Sequence, residues 1–171
     1  TPKTAFIAIV GKANVGKSSI LNKLLGTKIA IVSSKPQTTR TRIMGVLTTD
    51  DNVQLVFTDT PGFHKPKTKL GETMVSTAFT MFAEVDVILF LIEADSTEIG
   101  RGDKLILERI KESKKPCILV INKIDLVKRE NLLKLIDLYK DEYNFTSIIP
   151  ISALKNDGIE NIIQEIKKIL P

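Results

Sequence analysis

The segment Gly11-Lys12-Ala13-Asn14-Val15-Gly16-Lys17-Ser18 constrains this chain more than any other. It fits the pattern G-x-x-x-x-G-K-[ST], and its flanks are the ones that pattern needs. The short apolar run Phe6–Val10 stops at Gly11, and from Lys17 to Leu25 a helical spacing puts Ile20, Leu21, Leu24 and Leu25 on one face. A strand that passes through a glycine-rich turn into a helix aims a row of backbone N–H groups inward. The helix start adds unpaired N–H groups and about half a positive charge. Such a cradle suits a diphosphate. The candidate phosphate-binding residues are Gly11, Asn14, Val15, Gly16, Lys17, Ser18 and Ser19. Lys17 can reach the β- and γ-phosphates, and the Ser18 hydroxyl suits Mg²⁺. The bland alternative is a glycine turn beside an exposed lysine.

At 171 residues the chain is long enough for one domain with a substantial core. Apolar runs alternate with helical patterns along it. Strands are expected at Phe6–Val10, Ile43–Thr49, Val53–Thr58, Val87–Glu93, Cys117–Ile121 and Ser147–Ile151. Helices are expected at Lys17–Leu25, Asp103–Ser113 and Arg129–Lys140, with a weaker one at Gly71–Ala83. The cleanest helical stripe is Ile159, Ile162, Ile163, Ile166, Ile169 and Leu170. Gly26–Arg42 and Pro61–Leu70 read as loops, and Asp50-Asp51-Asn52 reads as the turn of a hairpin. The alternation implies a doubly wound α/β fold: six strands, mostly parallel, one antiparallel edge strand, and helices on both faces. In such sheets ligands bind beyond the carboxyl ends of the strands.

Three more strand ends carry chemistry. Asp59-Thr60-Pro61-Gly62 follows the third strand. Asp59 can hold Mg²⁺ directly or through water, and the Gly62 N–H can approach a γ-phosphate with no Cβ in the way. Alone this tetrapeptide is a generic turn. Asn122-Lys123-Ile124-Asp125 follows the fifth strand. The Asp125 carboxylate can accept hydrogen bonds from the N1–H and 2-amino group of guanine, donors that adenine lacks there. Asn122 can touch the base edge and bridge loops, and the Lys123 stem can lie along the ring. The structural alternative is Asp125 as a helix N-cap. After the last strand, Ser152-Ala153-Leu154 can present the Ala153 N–H to guanine O6.

These four motifs match, in order, those of the guanine-nucleotide-binding P-loop proteins. With Gln37-Thr38-Thr39-Arg40-Thr41-Arg42-Ile43, Asp59-Thr60-Pro61-Gly62-Phe63-His64-Lys65-Pro66-Lys67 and the Ser152–Ala153 pair, the chain resembles the Era GTPases, bacterial ribosome-assembly factors. The resemblance covers nearly the whole chain and implies a Ras-like P-loop GTPase fold over residues 1–171. It implies slow, Mg²⁺-dependent hydrolysis of GTP to GDP and phosphate, in a cytoplasmic switch for small-subunit assembly through 16S rRNA. Peripheral membrane association also belongs to the family pattern. Era proteins carry a C-terminal KH-type RNA-binding domain that residues 1–171 do not contain, so an excised or truncated GTPase domain is expected. The metal set by resemblance is Ser18, Asp59 and Thr39, the last favoured over Thr38. Lys17, Thr39, Gly62 and Asn14 are the catalytic candidates. Asn14 enters because, in potassium-activated relatives, an asparagine there helps hold K⁺ where an arginine finger's charge would sit. Ala13 and Ser19 stand where the family often has Pro and Thr; backbone groups do most of the work at both positions. Phe63 stands where Ras-like proteins place a water-orienting glutamine. His64, the one histidine, reads as a solvated or partner-contact residue. Two other readings stay open: a nucleotide-gated binding module with negligible hydrolysis, and a related GTPase of tRNA modification or large-subunit assembly.

Charge agrees with an anionic partner. The first 85 residues hold 11 basic and 5 acidic side chains, whereas the remainder is nearly balanced. The surplus lies in two acid-free segments, Lys28, Lys35, Arg40 and Arg42 in one and Lys65, Lys67 and Lys69 in the other. A single cysteine, Cys117, excludes an intramolecular disulfide and reads as core. No apolar run exceeds six residues, far below the ~20 that span a bilayer, and no secretory leader is expected. Replacing Asp125 with Asn should move base preference from guanine toward xanthine and cost at least ~2–3 kcal/mol in GTP affinity. Competition binding with GTP and XTP checks this; unchanged GTP affinity would remove Asp125 from the base site.

Overall fold

Strands buried on both faces read as unbroken apolar runs, and two here do: every residue of Cys117–Asn122 is buried, and in Val87–Glu93 all but the last. Both belong to the sheet at the centre of the computed structural model, which describes residues 3–11, 17–25, 42–49, 52–59, 82, 85–94, 98–124, 127–152 and 158–169. The elements run β1 (Lys3–Val10), α1 (Lys17–Leu25), β2 (Arg42–Thr48), β3 (Val53–Asp59), β4 (Val87–Glu93), α2 (Arg101–Ser113), β5 (Cys117–Asn122), α3 (Arg129–Lys140), β6 (Ser147–Pro150) and α4 (Ile159–Ile169).

Among the described residues the sheet has six strands in the order β2-β3-β1-β4-β5-β6. All neighbours are parallel except β2 and β3, which form the expected antiparallel edge. At the hairpin turn the Thr49 N–H donates to Val53 O at 2.9 Å and the Asn52 N–H to Thr49 O at 3.0 Å. Asn52 takes the left-handed conformation, φ 62°, that asparagine tolerates well.

The strands β4, β5 and β6 step across the sheet in one direction, so right-handed crossovers put α2 and α3 on one face. The step from β1 to β3 runs the other way and puts α1 on the opposite face. The packing follows. Ile7, Ile9, Leu55, Phe57, Leu89 and Leu91 face Ile20 and Leu24 of α1 and Ile162 and Ile166 of α4. The alternate residues Ala8, Val10, Ile88, Phe90 and Ile92 face Ile106, Leu107 and Ile110 of α2 and Leu135 and Tyr139 of α3. Tyr139 meets Phe90 edge-on, centroids 6.0 Å apart. Cys117 is fully buried in this second layer, which pushes its thiol pKa well up.

The structure moves several sequence boundaries. β1 starts at Lys3 rather than Phe6, because its ladder with β3 extends from Lys3↔Val53 past the apolar run. Arg42, expected as the last loop residue, is the first of β2 and pairs with Asp59. β2 ends at Thr48 rather than Thr49, since the Thr49 backbone serves the turn. β3 and β5 each gain a residue, Asp59 and Asn122, from neighbours that continue the ladder. β6 stops at Pro150, one residue early. α2 starts at Arg101 rather than Asp103. Of the helix expected over Gly71–Ala83 only Phe82 is among the described residues, helical and buried; the rest of it and most of both basic segments lie outside them.

Gly158, just before α4, has φ +83°, and a Cβ there would lie 2.9 Å from the Pro150 carbonyl oxygen. Neither the dihedral nor the backbone contact admits a side chain easily. Gly158→Ala should therefore destabilise the fold by about 2 kcal/mol, a fall in Tm of about 4–8 °C. Thermal unfolding of the variant tests it; an unchanged Tm would mean α4 can tilt away from β6 at no cost.

Candidate functional site

The order of the strands reverses at β1, whose neighbours are β3 on one side and β4 on the other. A crevice opens at the carboxyl end of such a strand. Gly11 lies there, buried, directly after Val10. Lys17, Ser18 and Ser19 form the first turn of α1 on the far side of the loop. Asn14, Val15 and Gly16 lie outside the described residues. On the other flank, Asp59 closes β3 in register with Ile9, the residue before the last of β1. Gly11 and Asp59 thus share one corner of the sheet edge, and α1 begins six residues after Gly11. Thr39 and Gly62 lie outside the described residues.

The electrostatics of α1 set it apart. The other three described helices carry an acid in the first turn: Asp103, Glu130 and Glu160. These offset the positive end of each helix. The first turn of α1 has no acid and opens with lysine. Within that first turn no carboxylate offsets the partial positive charge of the helix start.

Two strand gaps away, about 10 Å at ordinary strand spacing, is the end of β5. Asn122 is its last residue and is 5% exposed. The segment Asn122–Ile124 is clasped from both sides. The Ala94 N–H donates to Asn122 O at 2.8 Å, and the Ile124 N–H donates to Ile151 O at 3.2 Å. Ile151 in turn donates to Ile121 O at 2.7 Å. Between the clasps Lys123 is left-handed, φ 66°. For a residue with a Cβ this costs about 1–2 kcal/mol and persists only where the surroundings enforce it. The Lys123 ammonium meets Glu93 Oε1 at 2.9 Å. Ser152 follows β6 and is 1% exposed. Asp125, Ala153 and Leu154 lie outside the described residues. The N-cap of α3 is Lys128.

An elongated ligand spanning both groups must lie across the end of β4. Sequence reading passed over Glu93, which it treated as the end of an apolar strand. The available signal was a carboxylate closing an otherwise apolar run. Among the described residues no cluster of three or more His, Cys, Asp or Glu side chains could hold a metal, and no helix is long and apolar enough to cross a membrane.

A family model described as 50S ribosome-binding GTPase matches residues 6–123. The chain belongs to that family. GTPase Era of Ruminiclostridium cellulolyticum is 51% identical over 169 residues, which is 99% of this chain and 56% of that protein. A crystal structure of an Aquifex aeolicus Era variant bound to GDP·AlF4⁻ is 45% identical with a TM-score of 0.78, covering 99% of this chain and 57% of that one. A structure of Era with MgGDPNP and nucleotides 1506–1542 of 16S ribosomal RNA is 44% identical with a TM-score of 0.79, covering all of this chain and 58% of that one. The expected resemblance to Era and the Ras-like P-loop fold are therefore borne out. The chain spans a little over half the length of the relatives it matches.

Removing the buried amide in Asn122→Ala should weaken guanine-nucleotide binding by about 1–3 kcal/mol. Calorimetric titration with GDP measures it; full affinity with a lowered Tm would make Asn122 a packing residue.

Proposed function

We propose that this chain binds GTP with Mg²⁺ and hydrolyses it slowly to GDP and phosphate, as the switching domain of an Era-type factor in small-ribosomal-subunit assembly. One observation carries the reading. Gly11, Asp59, Asn122 and Ser152, at or just beyond the ends of β1, β3, β5 and β6, lie along one sheet edge, the first two on one side of β4 and the last two on the other. The share of each relative left unmatched leaves room for a KH-type domain, which in this reading makes most of the RNA contact. The family description names the large subunit, but the Era relatives near half identity and the structure bound to 16S RNA favour the small one. The compartment in this reading is the cytoplasm.

The residues divide the work. Gly11 and residues 14–19 wrap the β-phosphate with backbone N–H groups, and Lys17 supplies a charge toward the γ-phosphate. Ser18, Thr39 and Asp59 would hold Mg²⁺; these hard oxygen donors suit it, and Asp59 ends β3 beside the end of β1. When bound, the ion neutralises charge on the phosphate oxygens. The Gly62 N–H senses the γ-phosphate. Asn122, Lys123 and Asp125 hold the guanine ring, and the backbone of Ser152, Ala153 and Leu154 closes over its O6 edge. The two basic loops become ordered when the γ-phosphate is present.

Phe63 cannot orient the attacking water, so hydrolysis needs another source of transition-state charge. Asn14 can place its amide oxygen beside the β–γ bridge and help hold K⁺ there, acting as an arginine finger does. Turnover should be faster in KCl than in matched NaCl, and the difference should vanish in Asn14→Ala. Equal rates in both salts would refute the potassium site. No phosphate release over hours at saturating GTP would leave a nucleotide-gated binding module instead.

A further inference from the structure

Glu93 closes β4 and lies opposite Asn122 across the parallel ladder. It is an unexpected residue for that place. The six residues before it are all apolar and buried, and its side chain is only 13% exposed. Taking a carboxylate this far from water is unfavourable unless a charge partner compensates. The partner is Lys123, whose ammonium lies 2.9 Å away and whose side chain is 39% exposed. Lys123 is itself in an unfavourable backbone state, left-handed at φ 66°. One contact therefore joins two locally costly choices.

A strut between β4 and β5 does not account for it. The Ala94 N–H already ties the two strand ends through Asn122 O, and the ladder runs unbroken from Ile88↔Cys117 to Glu93↔Asn122. What the ion pair adds is direction. With its backbone fixed by the clasps and its ammonium fixed by Glu93, the Lys123 stem has both ends held. We propose that Glu93 is a positioning residue for the nucleotide: by anchoring the Lys123 ammonium it sets the lysine stem as one wall of the guanine slot. This rests on the reading of Asn122–Asp125 as the base site.

The test is a double-mutant cycle on binding of fluorescent GDP, with nucleotide-free thermal unfolding alongside. Glu93→Ala should weaken GDP binding about fivefold, mainly through faster release. Lys123→Met, which keeps the stem and removes the charge, should weaken it at least as much. The double variant should match Lys123→Met alone, because the two changes remove one interaction. Additive losses would overturn the proposal, as would a lower thermal midpoint in Glu93→Ala with GDP affinity intact. Should Glu93→Ala fail to fold, Glu93→Gln completes the cycle under the same criteria, with an expected loss of roughly two- to threefold. Asp125→Asn separates the two levels. If it leaves GDP affinity unchanged, the base-site reading itself fails; if it abolishes affinity while the Glu93 variants bind normally, only the positioning role fails.

Discussion

Everything at the functional edge depends on β1 being hydrogen-bonded on both sides. Its ladder with β3 runs from Lys3 to Ile9, and its ladder with β4 runs from Ile7 to Val10. A strand so confined cannot shift register without moving its whole apolar set to the wrong face. The exit point at Gly11 is therefore fixed against two neighbours and against both helical layers. Thr58, buried beside Asp59, reinforces the arrangement by donating its hydroxyl to Ile7 O.

The base end is built differently. Beyond the last ladder pair, Glu93↔Asn122, the chain is held by single backbone hydrogen bonds between strand ends. Asn122 and Ile124 face opposite neighbours, and Lys123 between them takes up the turn. A left-handed lysine lets the peptide reverse within one residue, so Asn122 can stay in the strand while the next residues leave it. The ion pair to Glu93 follows from that geometry, since a right-handed Lys123 would direct its stem elsewhere.

Much of this was legible in the sequence, for physical reasons that differ by element. β4 and α3 were read to the residue because a fully apolar run and a strong helical spacing each end abruptly, at Glu93 and at Lys140. The glycine-rich turn marked its corner because few other chemistries need two glycines and a lysine at that spacing. What could not be read depends on partners distant in sequence. The first three residues of β1 are polar or small and join the sheet only because β3 extends alongside them. Arg42 has no strand character of its own and is recruited by Asp59. Glu93 was invisible as a site residue because its meaning lies in Lys123, 30 positions later. The N-cap at Lys128 likewise needed coordinates, since no side-chain cap marks it.

The bare start of α1 has a consequence for stability. A helix normally brings its own counter-charge to its amino end, as α2, α3 and α4 do here. α1 leaves that role to whatever anion occupies the corner, so on the proposed function the nucleotide's phosphates serve as its cap. Occupancy and folding are then linked by mass action. At a nucleotide concentration 100 times the dissociation constant, binding adds about 2.7 kcal/mol to the stability of the whole domain. Cellular nucleotide level would then act as a folding cosolute for this protein as well as its fuel.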